Sequence, residues 1–200
     1  MLGPALGGFA KLVGFTGAAV FDVAGRVINP FVEPVFNLMA KDPILLPSLI
    51  KGVRGNADVI CSTIMDINQE NQQIEILGFL DDIEKKKNVL GKINKRNVDK
   101  FKRYKDVYFI WSLRSTNLGK KILQKYNNLD ISERRLLTVQ HPTAVISKYS
   151  KIGNGVTIHP FVNIGPGVII KNNIHIFSHS LIGHNTILSH FSYIANNASI

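Results

Sequence analysis

The 200-residue chain is short of several things at once. It has a single cysteine, Cys61, so neither a disulfide framework nor a thiolate zinc site can be built from it. A chain that does without disulfides suits a reducing compartment, and the expectation is a cytoplasmic protein. No stretch reaches the roughly 18 consecutive apolar residues of a membrane span. The longest early apolar run, Leu12 to Phe21, is closed by Asp22, and Met1 to Ala10 carry no charge, unlike the basic start of a secretory signal. Aspartate and glutamate are missing altogether from residues 136–200.

What is present fills in the class. At 45% hydrophobic, 19% charged and a mean hydropathy of +0.09, the chain suits one or two domains with real cores. The formal charge of +10 is unevenly placed. Residues 1–43 are neutral, 44–80 are slightly acidic, and 81–135 hold sixteen Lys/Arg against seven Asp/Glu. Runs such as Lys85-Lys86-Lys87 are able to track phosphates. No aromatic interleaving or nucleic-acid motif accompanies them, so solvated helix faces are the expectation and nucleic acid is not an expected partner.

The strongest pattern has a period of six. Positions 146, 152, 158, 164, 170, 176, 182, 188, 194 and 200 are all isoleucine except Leu188. Four residues after each of the first nine, from Ser150 to Ala198, stands a small or β-branched residue. Gly153, Gly165 and Gly183 follow three of the isoleucines, where a tight turn requires positive φ or little bulk. Neither a helical nor a strand period divides this pattern. A triangular solenoid does: each hexad is a short strand plus a turn, and three hexads close one coil with isoleucines stacked along its axis.

Upstream, Ala57 to Asn68 reads as a helix with Ile60, Ile64 and Ile67 on one face, and Ile74 to Leu80 as a strand. Leu45 to Lys51 is expected as a first strand, Asn97 to Tyr104 and Thr116 to Tyr126 as helices, and Val107 to Leu113 as a strand. That alternation predicts a parallel, Rossmann-like sheet, with Cys61 and Trp111 structural inside it. The expected division is an extension over 1–43, an α/β domain over 44–140 and the solenoid over 141–200.

The hexads resemble the left-handed parallel β-helix of hexapeptide acyltransferases. Leu77-Gly78-Phe79-Leu80-Asp81-Asp82, Val89-Leu90-Gly91, His141-Pro142-Thr143-Ala144-Val145 and Ile182-Gly183-His184 stand in that order. The order is similar to the sialic acid O-acetyltransferase and UDP-amino-sugar N-acetyltransferase family, over roughly residues 45–200. The resemblance implies a nucleotide-sugar-binding α/β domain ahead of the β-helix, acetyl-CoA as co-substrate, a homotrimer with shared sites, and no metal. It also implies His184 as the general base, since an imidazole titrating near neutrality can take the acceptor's proton. Asp81 and Asp82 would lie beside the nucleotide at a strand's carboxyl end, where a capping pair is the other reading. Gly52 and Gly55 stand in the turn where the family has a Gly-x-Gly-Gly phosphate loop, and Arg54 offers a charge there. Gly7-Gly8-Phe9-Ala10-Lys11 looks like the same loop but lies far from Asp81 in sequence.

Three features depart from the family. Asn185 follows His184 where the family carries Asp or Glu, a second family histidine falls on Tyr193, and the repeat reaches Ile200 after about three coils. A fragment, a degenerate copy and a form completed by oligomer contacts all fit the last of these. Two further readings therefore stay open. One is a catalytically impaired nucleotide-sugar-binding or scaffold subunit of the same fold. The other rests on His179 and His184, whose spacing resembles hexapeptide-fold carbonic anhydrases, although Thr143 stands two coils before His179 and His141 is two positions out of register. His159, His175 and His190 are expected at surfaces or interfaces, with His175 and Tyr193 one coil apart.

Overall fold

A computed structural model describes residues 10–15, 18–22, 56–69, 74–82, 89–105, 107–112 and 119–200. The strand expected at 45–51, the turn holding Gly52, Arg54 and Gly55, and the Gly7-Gly8-Phe9 segment lie outside them.

The α/β unit is built from β1 (Ala10–Phe15), β2 (Ala18–Asp22), helix α1 (Asn56–Gln69), β3 (Ile74–Leu80), β4 (Val89–Gly91), α2 (Lys95–Lys102), β5 (Val107–Trp111) and α3 (Gly119–Asn128). β1 pairs in parallel with β3, and β3 with β4. The sheet is not wholly parallel as the alternation predicted, because β2 runs antiparallel to β1 and β5. A two-residue connection leaves no room for the crossover that parallel neighbours require. Residues 10–22, read as part of an extension of unknown role, thus supply two strands of this sheet.

Side chains alternate across β5. Val107, Phe109 and Trp111 enter a core with Leu80, Val98 and Leu129, whereas Ile110 enters the opposite core with Ile60, Ile64 and Ile67 of α1. β3 breaks this alternation at Gly78, whose φ is 142°. Its register against β1 slips there, so Ile76 and Phe79 face the α1 core while Leu77 and Leu80 face the other. Such a bulge re-aims everything beyond it, here Asp81 and Asp82. α2 begins two residues before the expected Asn97, because the Asn94 side chain caps it by accepting the Asn97 N–H at 2.9 Å. Lys95 pairs with Asp99 and Asp130, both at 3.2 Å, as expected of a solvated basic face. Cys61 is fully buried, and that burial pushes its thiol far above the usual range, so it packs as a small hydrophobe.

From Val139 onward the chain winds as a left-handed parallel β-helix of about three coils. Two-residue strands 18 residues apart stack in parallel on three faces. β6 (Val139–Gln140), β9 (Thr157–Ile158), β12 (His175–Ile176) and β15 (Tyr193–Ile194) make the first. β7 (Val145–Ile146), β10 (Asn163–Ile164) and β13 (Leu181–Ile182) make the second, and β8 (Lys151–Ile152), β11 (Ile169–Ile170) and β14 (Ile187–Leu188) the third. The hexad isoleucines point inward, with Ile158, Ile176 and Ile182 fully buried. Full burial of each such side chain is worth about 1.5–3 kcal/mol. Val156, Val162, Val168 and Ile174 form the second inward row. Ser180 enters the same row by donating its hydroxyl to the Phe177 and Ala195 carbonyls.

The corners obey the same period. Residues 155, 161, 167, 173, 179, 185, 191 and 197 all have φ near +60°, although only Gly155 and Gly167 are glycine. From residue 173 on, each corner N–H donates to a carbonyl one coil below, as in Asn185 N to Pro166 O at 3.0 Å. Three of the eight are asparagine, a residue that tolerates this conformation well. Gly153, Gly165 and Gly183 answer the other requirement: a Cβ on Gly153 would come within 2.9 Å of the Lys171 backbone, and one on Gly183 within 2.8 Å of Ile200 O.

Candidate active site

Two places carry polar side chains that packing does not require. One is the carboxyl end of the sheet and the other is a corner of the β-helix.

At the sheet, Asp81 is buried and its N–H donates to Gly91 O at 2.9 Å, fastening β3 to β4. Asp82 beside it is half-exposed. One of its oxygens accepts the Ile93 N–H at 3.0 Å, and the other is paired with the Lys125 ammonium from α3. Burial holds the Lys125 pKa below its ordinary value, against the opposing pull of the Asp81 charge. Across the sheet, the Asn56 amide at the start of α1 donates to Ser112 O at 3.3 Å. Asp81, Ser112 and the first turn of α1 therefore share the sheet edge at which open α/β folds take ligands. Gly52 and Gly55 lie outside the described residues. Lys125 is the residue that sequence reasoning missed: it is one of sixteen basic residues in 81–135, and nothing local distinguishes it.

On the β-helix, His184 is exposed in the turn after the buried Ile182, as its offset from the inward isoleucine predicted. Pro166 and Lys148 occupy the equivalent places one and two coils below. Asn185 follows in the left-handed conformation, with φ of 59°. Its side chain lies over Gly167, where a Cβ would clash with Asn185 Oδ1. Its amide Nδ2 is 3.2 Å from His184 Nδ1. In this orientation the amide nitrogen donates and Nδ1 accepts, the arrangement that suits the imidazole tautomer with its proton on Nε2. The aliphatic side chains flanking this corner are open to solvent, among them Val145 and Ile187 at 63% exposure each.

The other histidines divide cleanly. His179 and His190 stand on the two remaining corners, His179 stacked on Phe161 with ring centroids 4.9 Å apart. His141, His159 and His175 instead face the α/β unit. His159 Nδ1 meets Thr63 Oγ1 of α1 at 2.6 Å, and His175 Nε2 donates to Trp111 O at 2.5 Å. His141 Nδ1 accepts the Thr143 N–H, so its Nε2 carries the proton toward Asp66 at 3.3 Å. Burial, reinforced by the neighbouring His175 and His141, pushes His159 down to about 3. Burial also pushes His175 down to about 4, partly opposed by the Trp111 carbonyl. Both rings are therefore neutral packing elements. The aromatic contacts around them run through Phe177, 4.6 Å from His159 and 4.8 Å from Tyr193. Among the described residues, no three His, Cys, Asp or Glu side chains gather to hold a metal ion, and no helix is long and apolar enough to cross a membrane.

Comparison with known proteins adds to this geometry. No family model matches the chain. The acyl-(acyl-carrier-protein)-UDP-N-acetylglucosamine O-acyltransferase of Rickettsia peacockii is 38% identical over 66 residues, which is 30% of this chain and 25% of the relative. That of Rickettsia canadensis is 36% identical over the same length. The chain thus spans a quarter of the length of these curated relatives. Among solved structures, the acetyltransferase domain of PglB from Neisseria gonorrhoeae superposes with a TM-score of 0.55 at 18% identity, covering 72% of this chain and 68% of that one. The chain shares the fold of that acetyltransferase domain. A second structure of the PglB domain, equally similar in fold at 16% identity, is a complex with acetyl coenzyme A.

Proposed function

We propose that the protein transfers an acetyl group from acetyl-CoA to the hydroxyl or amine of a sugar or nucleotide-sugar, of the sialic acid or UDP-amino-sugar class. The observation that carries this reading is the union, in one chain, of a sheet edge bearing Asp81 and a β-helix corner bearing an exposed histidine. In this reading residues 44–140 hold the sugar nucleotide near Gly52, Gly55, Asp81 and Asp82, and residues 141–200 hold the coenzyme. His184 removes the acceptor's proton as the acceptor attacks the thioester carbonyl, and that proton passes to the departing thiolate. The protein acts as a homotrimer, with the exposed Val145, Leu181 and Ile187 of the two uncovered faces buried against neighbouring subunits. The Rickettsia and PglB likenesses support acyl transfer, and the first supports a UDP-sugar acceptor.

The test is turnover of purified protein with acetyl-CoA and UDP-amino-sugar or sialic acid acceptors. His184→Ala is expected to remove about 10²–10⁴ of the rate, and unchanged turnover would sink the base assignment.

One observation favours a second reading, a binding or scaffold subunit with impaired turnover. A base acting through Nε2 needs that nitrogen free of its proton, and an Asn185 amide that donates to Nδ1, as the 3.2 Å contact allows, leaves the proton on Nε2. A carboxylate at position 185 would accept from Nδ1–H and leave Nε2 bare. Asn185→Asp therefore discriminates: a rise in turnover with a reversal of the His184 tautomer, seen by nitrogen NMR, shows an impaired site. A drop shows that Asn185 already serves the active arrangement.

A further inference from the structure

We infer that Lys125 is a ligand-positioning residue of the sheet-edge site, donating a hydrogen bond to a neutral oxygen of the nucleoside half of the sugar nucleotide. The inference rests on the nucleotide-sugar reading above and adds a residue and a role to it.

Gly78 sets the geometry of this edge. The bulge there turns Leu80 toward the α3 side of the sheet, and two residues further on it turns Asp82 to that same side. Both carboxylate oxygens of Asp82 are then engaged by the protein itself, one with the Ile93 N–H and one with Lys125. Asp82 is accordingly a holder rather than a receiver. What it holds is an ammonium whose side chain is 34% exposed, 43 residues away in sequence. A lysine ammonium has three N–H donors. Among the described residues Asp82 is the acceptor of one, and no other acceptor lies within bonding distance. The pair is exposed, so the remaining donors face solvent on the ligand side of the sheet, where a ligand oxygen can take the place of water.

The local charge identifies which oxygen. The Lys125 charge is already matched by Asp82, which leaves the pair little net attraction for a diphosphate. A ribose hydroxyl or a base carbonyl needs only a donor. The start of α1, on the other side of the sheet edge, remains the place for the phosphates.

Equilibrium binding of UDP, GDP and the parent nucleosides, at low and high salt, tests this with wild type, Lys125→Met and Asp82→Asn. Lys125→Met is expected to weaken a nucleoside and its diphosphate by the same factor, about tenfold or more, without altering the salt dependence. Asp82→Asn, which keeps an oxygen for Ile93 but frees the ammonium, is expected to lose less, about threefold. Wild-type binding with unchanged affinity in Lys125→Met overturns the inference and leaves the nucleotide-sugar reading standing. A loss confined to the diphosphate, with a shallower salt dependence, places Lys125 on phosphate and also overturns it. Absence of wild-type binding to either nucleotide overturns both. Should Lys125→Met fail to fold by circular dichroism, unchanged binding by Asp82→Asn overturns the inference instead.

Discussion

All six histidines of the chain lie between positions 141 and 190, and the β-helix divides them into two groups of three. His141, His159 and His175 sit under the α/β unit at 8%, 0% and 3% exposure. His179, His184 and His190 stand exposed on three different corners. The same side chain is a buried fastener in one group and an exposed imidazole in the other. The difference comes from the covering layer. Face β6–β9–β12–β15 is closed by α1 and β5, so its imidazoles lose water and take partners such as the Thr63 hydroxyl and the Trp111 carbonyl. The corner of His184 is covered by nothing in this chain among the described residues.

The sharpest way to break this comparison is to exchange what each group does. Replacing His184 with alanine should cost about 10²–10⁴ in acetyl transfer and shift the thermal midpoint little, because the side chain is exposed. His159→Ala should do the reverse, lowering the midpoint through loss of the Thr63 bond. A His184 variant that unfolds, or a His159 variant that folds normally, would erase the distinction.

Acid should act on the covered group. His159 and His175 are held at about 3 and about 4, against an ordinary value of 6.5. Both are neutral when folded, so the unfolded chain binds more protons once the pH drops below about 6.5. Their stabilising contribution is complete above that pH and is lost as pH falls toward their folded values. At about pH 5 the loss amounts to about 2 kcal/mol for each. Unfolding followed by the fluorescence of Trp111, the one tryptophan and a neighbour of His175, should show the midpoint falling between pH 7 and 5. His159→Gln should flatten that profile.

Smaller effects sharpen the corner side. Gly167→Ala combines a φ of +71° with a close approach to Asn185 Oδ1, and should cost about 1–2 kcal/mol in chemical denaturation. It should also disturb the Asn185 contact with His184, visible as a changed imidazole resonance. Asp66→Asn on the covered side should cost under about 1 kcal/mol, since the amide oxygen still accepts from His141 Nε2. A larger loss would mean that the carboxylate charge itself fastens the two units.

How much of this was legible beforehand follows the distance along the chain over which each feature is encoded. The inward isoleucines, the exposed turn position of His184, and the elements over 56–69, 74–80 and 107–111 were readable, because each is written in residues a few positions apart. The left-handed corner at every sixth residue was not read: Gly153, Gly165 and Gly183 lie two residues away from it, and Phe161, His179 and Phe191 adopt left-handed φ because the closed coil requires it, against their own preference. The antiparallel β2 was missed because residues 10–22 offered no helix to alternate with and so looked like an extension.

By itself, the sequence determined the solenoid, its three-hexad coil and the exposure of His184, since a strict period imposes the same local geometry each time it recurs. Tertiary structure alone decided the rest. Thr63 meets His159 across 96 residues, Trp111 meets His175 across 64, and Lys125 meets Asp82 across 43. No local propensity encodes such pairs. They exist because the bulge at Gly78 and the docking of α1 and β5 on one face of the β-helix bring those side chains to the same place.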